Sequence, residues 1–140
     1  MTWISYAQNF EDVTLMRALG HLPSGFYIDV GAHHPTADSV TRAFHEKGWC
    51  GINIEPVPTS LAAFVQERPR DINLGWAIGQ AEGQRTLHEV VGTGLSTLDA
   101  QQAESYRLEG LAVQTHAVPV RTLNQVCAEH AAQREIHFLK

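Results

Sequence analysis

Two short apolar runs, each closed by a residue with a chemical task, frame the chain. Phe26-Tyr27-Ile28-Asp29-Val30 runs into Gly31-Ala32, and Gly51-Ile52-Asn53-Ile54 runs into Glu55-Pro56. Apolar runs of this length bounded by turn residues read as buried strands. Between them Asp38 and Ser39 are good helix caps, Val40, Ala43 and Phe44 recur at i, i+3 and i+4, and Gly48 ends the pattern. Strand, helix, strand implies a parallel βαβ unit with a right-handed crossover. Ligands of such sheets lie outside the carboxyl ends of the strands, where Gly31 and Glu55 fall.

The rest of the chain repeats the alternation. Residues Ser5 to Leu19 place Phe10, Val13, Leu15, Met16 and Leu19 near a helical period, and Gly20 ends it. Pro58 suits the first turn of a helix whose apolar face is Leu61, Phe64 and Val65. Asp71 to Ile78 reads as a third strand interrupted by Gly75, and Thr86 to Val91 as a further strand before the turn Gly92-Thr93-Gly94. Ser96 and Thr97 are placed to cap a helix starting near Leu98. Ala112 to Val120 alternates polar and apolar residues, with Pro119 marking an edge or strand end. Thr122 and Gln125 form a capping-box pattern, and Ile136 to Leu139 begins a strand expected beside the first one. The expected fold class is α/β, a mostly parallel sheet with helices on both faces, formed by residues 1–140 as one domain. No internal repeat or linker interrupts it.

The chemistry follows from the two strand ends. Glu55 comes 24 positions after Gly31, close to the roughly 20-residue interval between a glycine turn and an acid that binds ribose hydroxyls. A side chain at Gly31 would obstruct a nucleoside lying across the strand ends. Dinucleotide sites use G-x-G-x-x-G so that pyrophosphate rests on a helix N-terminus. Here a single glycine is followed by Ala32-His33-His34-Pro35-Thr36, and Asp29 would repel phosphate. S-adenosyl-L-methionine has no phosphate and carries an ammonium and a sulfonium, so it suits this turn better than a nicotinamide dinucleotide.

Composition narrows the partners. The formal net charge is −5 and no basic stripe is present, which argues against nucleic acid. No apolar run approaches the roughly 20 residues of a membrane span, and the N-terminal residues do not resemble a secretory leader. With Cys50 and Cys127 far apart and outside any C-x-x-C pair, free thiols and a cytoplasmic location are expected. His33 and His34 lack partners at zinc spacing, so no metal is expected. Either imidazole is suited to act as general base, as is Asp12.

The chain resembles the FkbM-type methyltransferase family. The resemblance is carried by Ser5 to Asp12, Phe26 to Ala32, Ser39-Val40-Thr41, Gly48 to Pro56, Arg68 to Leu74, Gly94 to Leu98, Val118 to Leu123 and His137 to Lys140. It implies a Rossmann-like methyltransferase fold, S-adenosyl-L-methionine as methyl donor and a hydroxyl acceptor on a small molecule or glycan. It further implies that Asp29, Gly31, Ala32, His33, Glu55, Pro56, Asn73 and Ala77 form the cofactor site, with Gln8 and Glu11 near its mouth. His34 and Asp12 stand as the catalytic candidates. His33 stands where the family often has asparagine. The family continues beyond Lys140 with an Asp-Val-Glu-Gly segment, so an incomplete sheet, self-associating through its C-terminal strand edge, is expected. Two further functions fit the sequence: a cofactor-binding module without catalysis, and a nicotinamide-dependent oxidoreductase, which the single-glycine turn disfavours.

Overall fold

The computed structural model describes residues 2–140. It is a mixed α/β fold with two sheets. Along the chain the elements are α1 (Glu11–Leu19), β1 (Phe26–Val30), α2 (Arg42–Glu46), β2 (Cys50–Ile54), α3 (Pro58–Glu67), β3 (Ile72–Leu74), β4 (Ala77–Ile78), β5 (Gly83–Val90), α4 (Ala100–Leu108), β6 (Val113–Arg121), α5 (Leu123–His130) and β7 (Phe138–Leu139). The first sheet has the order β3-β2-β1-β7 and is parallel throughout.

Side chains alternate across β1, as the pleat requires. Phe26 and Ile28, with Ile52 and Ile54 of β2, pack on Val126, Leu123 and Cys127 of α5. Tyr27 faces the other way, into an aromatic cluster with Phe44, Trp49 and Phe138 that α1 closes with Leu15, Met16 and Leu19. Helices therefore cover both faces. Gly25 and Gly51 meet this cluster at close quarters. A Cβ at Gly51 would lie 2.2 Å from the Tyr27 ring, and one at Gly25 would lie 2.3 Å from Trp49.

The second sheet has the order β4-β6-β5, with β5 and β6 antiparallel in register from Gly83↔Val120 to Val90↔Val113. Its core is Leu87, Val118 and Val120 against Val57 and Ala77. The expected single strand from Asp71 to Ile78 is two strands in different sheets. Gly75 lies between them, where a Cβ would come within 2.8 Å of Leu61. β6 is the central strand rather than an edge. It tolerates Pro119 because β4 pairs only with Val120 and Arg121, leaving the proline beyond the short ladder.

Three helix starts also differ from expectation. The first helix begins at Glu11, because Asp12 draws the Tyr6 and Ala7 amides to its carboxylate and Phe10 adopts a left-handed φ of 60°. The second helix begins at Arg42 with Thr41 at its N-cap, because Asp38 takes a left-handed φ of 55° and Ser39 stays in the loop, where its Oγ accepts the Arg42 amide at 3.2 Å. The fourth helix is capped by Asp99, which accepts from the amides of Gln101 and Gln102, and Ser96 and Thr97 lie outside it. Thr97 instead bridges to His88. The capping box at Thr122 and Gln125 forms in full, with each side chain accepting from the other residue's backbone N–H. Thr122→Ala should therefore lower stability by about 1 kcal/mol, read from urea unfolding. An unchanged midpoint would mean that α5 is held by packing alone. β7 pairs with β1 through Tyr27↔Phe138 and Ile28↔Leu139, where the sequence placed it. Among the described residues no helix is long and apolar enough to cross a membrane.

Candidate functional site

The carboxyl ends of β1 and β2 are tied into one platform. The amides of Gly31 and Ala32 both donate to the Ile54 carbonyl, at 2.9 and 3.2 Å. Gly31 has φ 65°, and a Cβ there would meet no protein atom within 4 Å. Its outer face is therefore open space held by a backbone that suits only glycine well. Three cavities meet around this turn. One of about 160 Å³ is lined by Gly31, Ile54, Pro56, Trp76, Ala77, Ile78 and the Ser96–Leu98 segment. A second of about 430 Å³ is lined by Gly31, His33, Gln8, Glu11, Asp38, Gly94, Leu95 and Lys140. A third of about 420 Å³ shares His33 and Asp38 with the second and adds His34, Thr59, Ser60, Glu89 and Thr93.

His33 is the wall between the last two cavities. Its φ of 61° is left-handed, as is that of Asp38 at 55°. Such backbone costs free energy in a non-glycine residue and persists only where neighbours fix it. Glu55 does so: one carboxylate oxygen accepts the His33 amide at 2.7 Å, and the other accepts the Val57 amide at 2.9 Å. Glu55 is 5% exposed, and burial pushes its carboxyl above the usual range against the opposing pull of those two amides. A carboxylate has about four acceptor positions, so this one retains capacity for ligand hydroxyls.

The remaining residues singled out from the sequence divide into those that reach the cavities and those that do not. Gly31, His33, Pro56 and Ala77 line them, and His34 lines the third. Ala32 is buried beneath the turn. Asn73 lies inside the fold, where its amide accepts from Asn53 and donates to the Arg68 carbonyl. Asp29 is 1% exposed, and burial raises its carboxyl above the usual range while Lys140 and Thr41 pull it back. Thr41 Oγ1 donates to Oδ2 at 3.2 Å, and the Lys140 ammonium lies 3.1 Å from Oδ1.

Both catalytic candidates have structural tasks. Asp12 is wholly buried and accepts from Ser5 Oγ and from the amides of Tyr6, Ala7 and Val13. His34 Nδ1 accepts the amides of Thr36 and Ala37 at 3.0 and 2.9 Å, which puts the ring proton on Nε2 and leaves no free lone pair. Among the described residues the His33 ring makes no such bond.

Beneath the turn runs a buried polar network. Arg68 Nη2 donates to the Pro35 carbonyl at 2.6 Å and to Ser39 Oγ at 3.2 Å. Its Nη1 donates to Tyr27 Oη and Thr41 Oγ1 and lies 3.5 Å from Asp71. Asp71 accepts from Tyr27 Oη at 2.5 Å, from Asn53 Nδ2 at 2.9 Å and from the Gly51 amide at 3.1 Å. The network fastens the Pro35–Thr41 loop to β1, β2 and the start of β3. Burial, and after it the Asp71 charge, pushes the Tyr27 hydroxyl far above its usual range, so it stays a donor.

Among the participants without a role in the sequence reading are Lys140 and Arg68. Lys140 carried a signal, as a cation following an apolar strand expected beside the glycine strand. Arg68 carried none beyond its place in a segment that carries the family resemblance.

The family model described as the methyltransferase FkbM domain matches residues 29–140, which begin at Asp29 and include every lining residue of the three cavities around Gly31 except Gln8 and Glu11. The Ser5 to Asp12 segment lies outside the matched range. Searches of curated proteins and of solved structures found no match. The chain belongs to the FkbM methyltransferase family.

Proposed function

We propose that the chain binds S-adenosyl-L-methionine across the ends of β1 and β2 and directs methyl transfer to a hydroxyl of a small molecule or glycan. The observation that carries this reading is the open face of Gly31, flanked by two cavities with Glu55 beside it. The strand order β3-β2-β1-β7, parallel with helices on both faces, supports a Rossmann-like methyltransferase fold.

The cofactor supplies an electrophilic methyl group when bound. Glu55 has spare acceptor positions for ribose hydroxyls, and the cavity of Pro56, Trp76, Ala77 and Leu98 offers apolar walls to a purine. The cavity containing Thr59, Ser60, Glu89 and Thr93 offers hydroxyl and carboxylate side chains to a hydroxylated acceptor. His33 stands between it and the cofactor side, with ring nitrogens free to orient an acceptor hydroxyl or take its proton. Holding both reactants in place supplies much of the rate enhancement.

Titration calorimetry with S-adenosylhomocysteine and with NAD tests the reading. The adenosine ligand should bind the chain more tightly than NAD. Glu55→Ala should weaken it by about 10- to 100-fold, the loss of hydrogen bonds to a charged acceptor. Tighter binding of NAD, or unchanged affinity in Glu55→Ala, would reject the placement.

A further inference from the structure

Lys140 follows β7 and is locked to β1 by its backbone. Its amide donates to the Ile28 carbonyl and its carbonyl accepts the Val30 amide, both at 2.9 Å. Its side chain thereby emerges beside the glycine turn. The ammonium donates to the Gly31 carbonyl at 3.0 Å and lies 3.1 Å from Asp29 Oδ1. The Asp29 side chain is 1% exposed and that of Lys140 is 37% exposed, so only the lysine of this pair is open to a ligand.

This arrangement changes the meaning of Asp29. From sequence, the acid suits a cationic ligand directly. In the structure the buried carboxylate faces the chain's own cation, the Lys140 ammonium. The cavity that Lys140 enters has Glu11 and Asp38 on its walls. Among its lining residues Lys140 is the one lysine or arginine. An ammonium has three donors. One is used by the Gly31 carbonyl, and with Asp29 held as an ion pair the ammonium keeps donor capacity for the cavity.

We propose that Lys140 binds the α-carboxylate at the amino-acid end of the cofactor, with Asp29 as the buried residue that positions it. The ligand's own ammonium then falls on the acidic side of the cavity, toward Glu11 and Asp38. A zwitterionic end group matches this division of charge, and a phosphate would meet two carboxylates. The inference rests on the adenosine-ligand reading above.

Its test separates the two. S-adenosylhomocysteine carries the amino-acid end, and 5′-methylthioadenosine lacks it while keeping the ribose and purine. Calorimetry of both ligands should be run on the unaltered chain, on Lys140→Met and on Lys140→Arg. Lys140→Met should weaken S-adenosylhomocysteine by about 10- to 100-fold, as expected for a lost charged hydrogen bond. It should leave 5′-methylthioadenosine within about twofold, which also reports an intact fold. Lys140→Arg should restore most of the lost affinity, because the charge is kept. Equal weakening of both ligands, or unaltered affinity for S-adenosylhomocysteine, would overturn the assignment. If the unaltered chain bound neither ligand, the cofactor reading itself would fall and this assignment with it.

Discussion

Arg68→Met should lower the stability of the chain by about 3–5 kcal/mol, the range for breaking a buried ion pair from one side. The side chains of Arg68 and Asp71 are both wholly buried, 3.5 Å apart. Methionine removes the cation and the donors to Pro35, Ser39, Tyr27 and Thr41 at once. Asp71 keeps its bonds from Tyr27, Asn53 and Gly51 but loses its counter-charge. The melting temperature should fall on the order of 10 °C. The double variant Arg68→Met/Asp71→Asn should recover part of that loss, since the stranded charge is gone. A single-variant loss below about 1 kcal/mol would mean that the network behaves as a solvated surface pair and does not anchor the loop.

Gly31→Val should separate binding from folding. At φ 65° a side chain costs about 1–2 kcal/mol of backbone strain, so the fold should weaken only modestly. No protein atom lies in the way of the new side chain. A ligand against that face would clash, and its affinity should drop about 100-fold, equivalent to about 3 kcal/mol of overpacking. Melts without ligand and titrations with S-adenosylhomocysteine read the two effects independently. A variant that melts as expected yet binds as well as the unaltered chain would remove Gly31 from the site.

What the sequence revealed was mostly local. β1 and β2 are short, mostly apolar runs ended by turn residues, Pro58 opens α3, and Thr122 with Gln125 makes a complete cap. Each of these is decided within a few residues. The reading failed where distant residues compete for the same groups. Asp12 folds the Ser5–Ala7 segment back onto the first turn by accepting the Tyr6 and Ala7 amides, and the left-handed Phe10 separates that segment from the helix. β6 became central because β4, beyond Gly75, crossed to a second sheet. The site was legible in the same uneven way. Gly31, Pro56 and Ala77 reach the cavities because strand ends dictate it. Asn73 was placed in the adenine pocket by resemblance, yet it points into the interior, because the pleat puts it on the face of Asn53. Arg68, Asp71, Tyr27, Ser39 and Thr41 were visible only as members of the segments that carry the family resemblance. Their joining in one network depends on contacts up to 44 positions apart, the span from Tyr27 to Asp71.

The central claim is that an adenosine ligand with an amino-acid end sits across the carboxyl ends of β1 and β2. At 15.5 kDa the chain suits amide chemical-shift mapping. On addition of S-adenosylhomocysteine, the largest shifts should fall at Gly31 to His34, Glu55 to Val57 and Gly94 to Leu98. The amides lining the cavity at the opposite strand ends, around Gly25, Gly48 and Arg134, should stay in place. Shifts concentrated there, or in the apolar groove of Trp3, Val13 and Met16, with the Gly31 turn unmoved, would contradict the account.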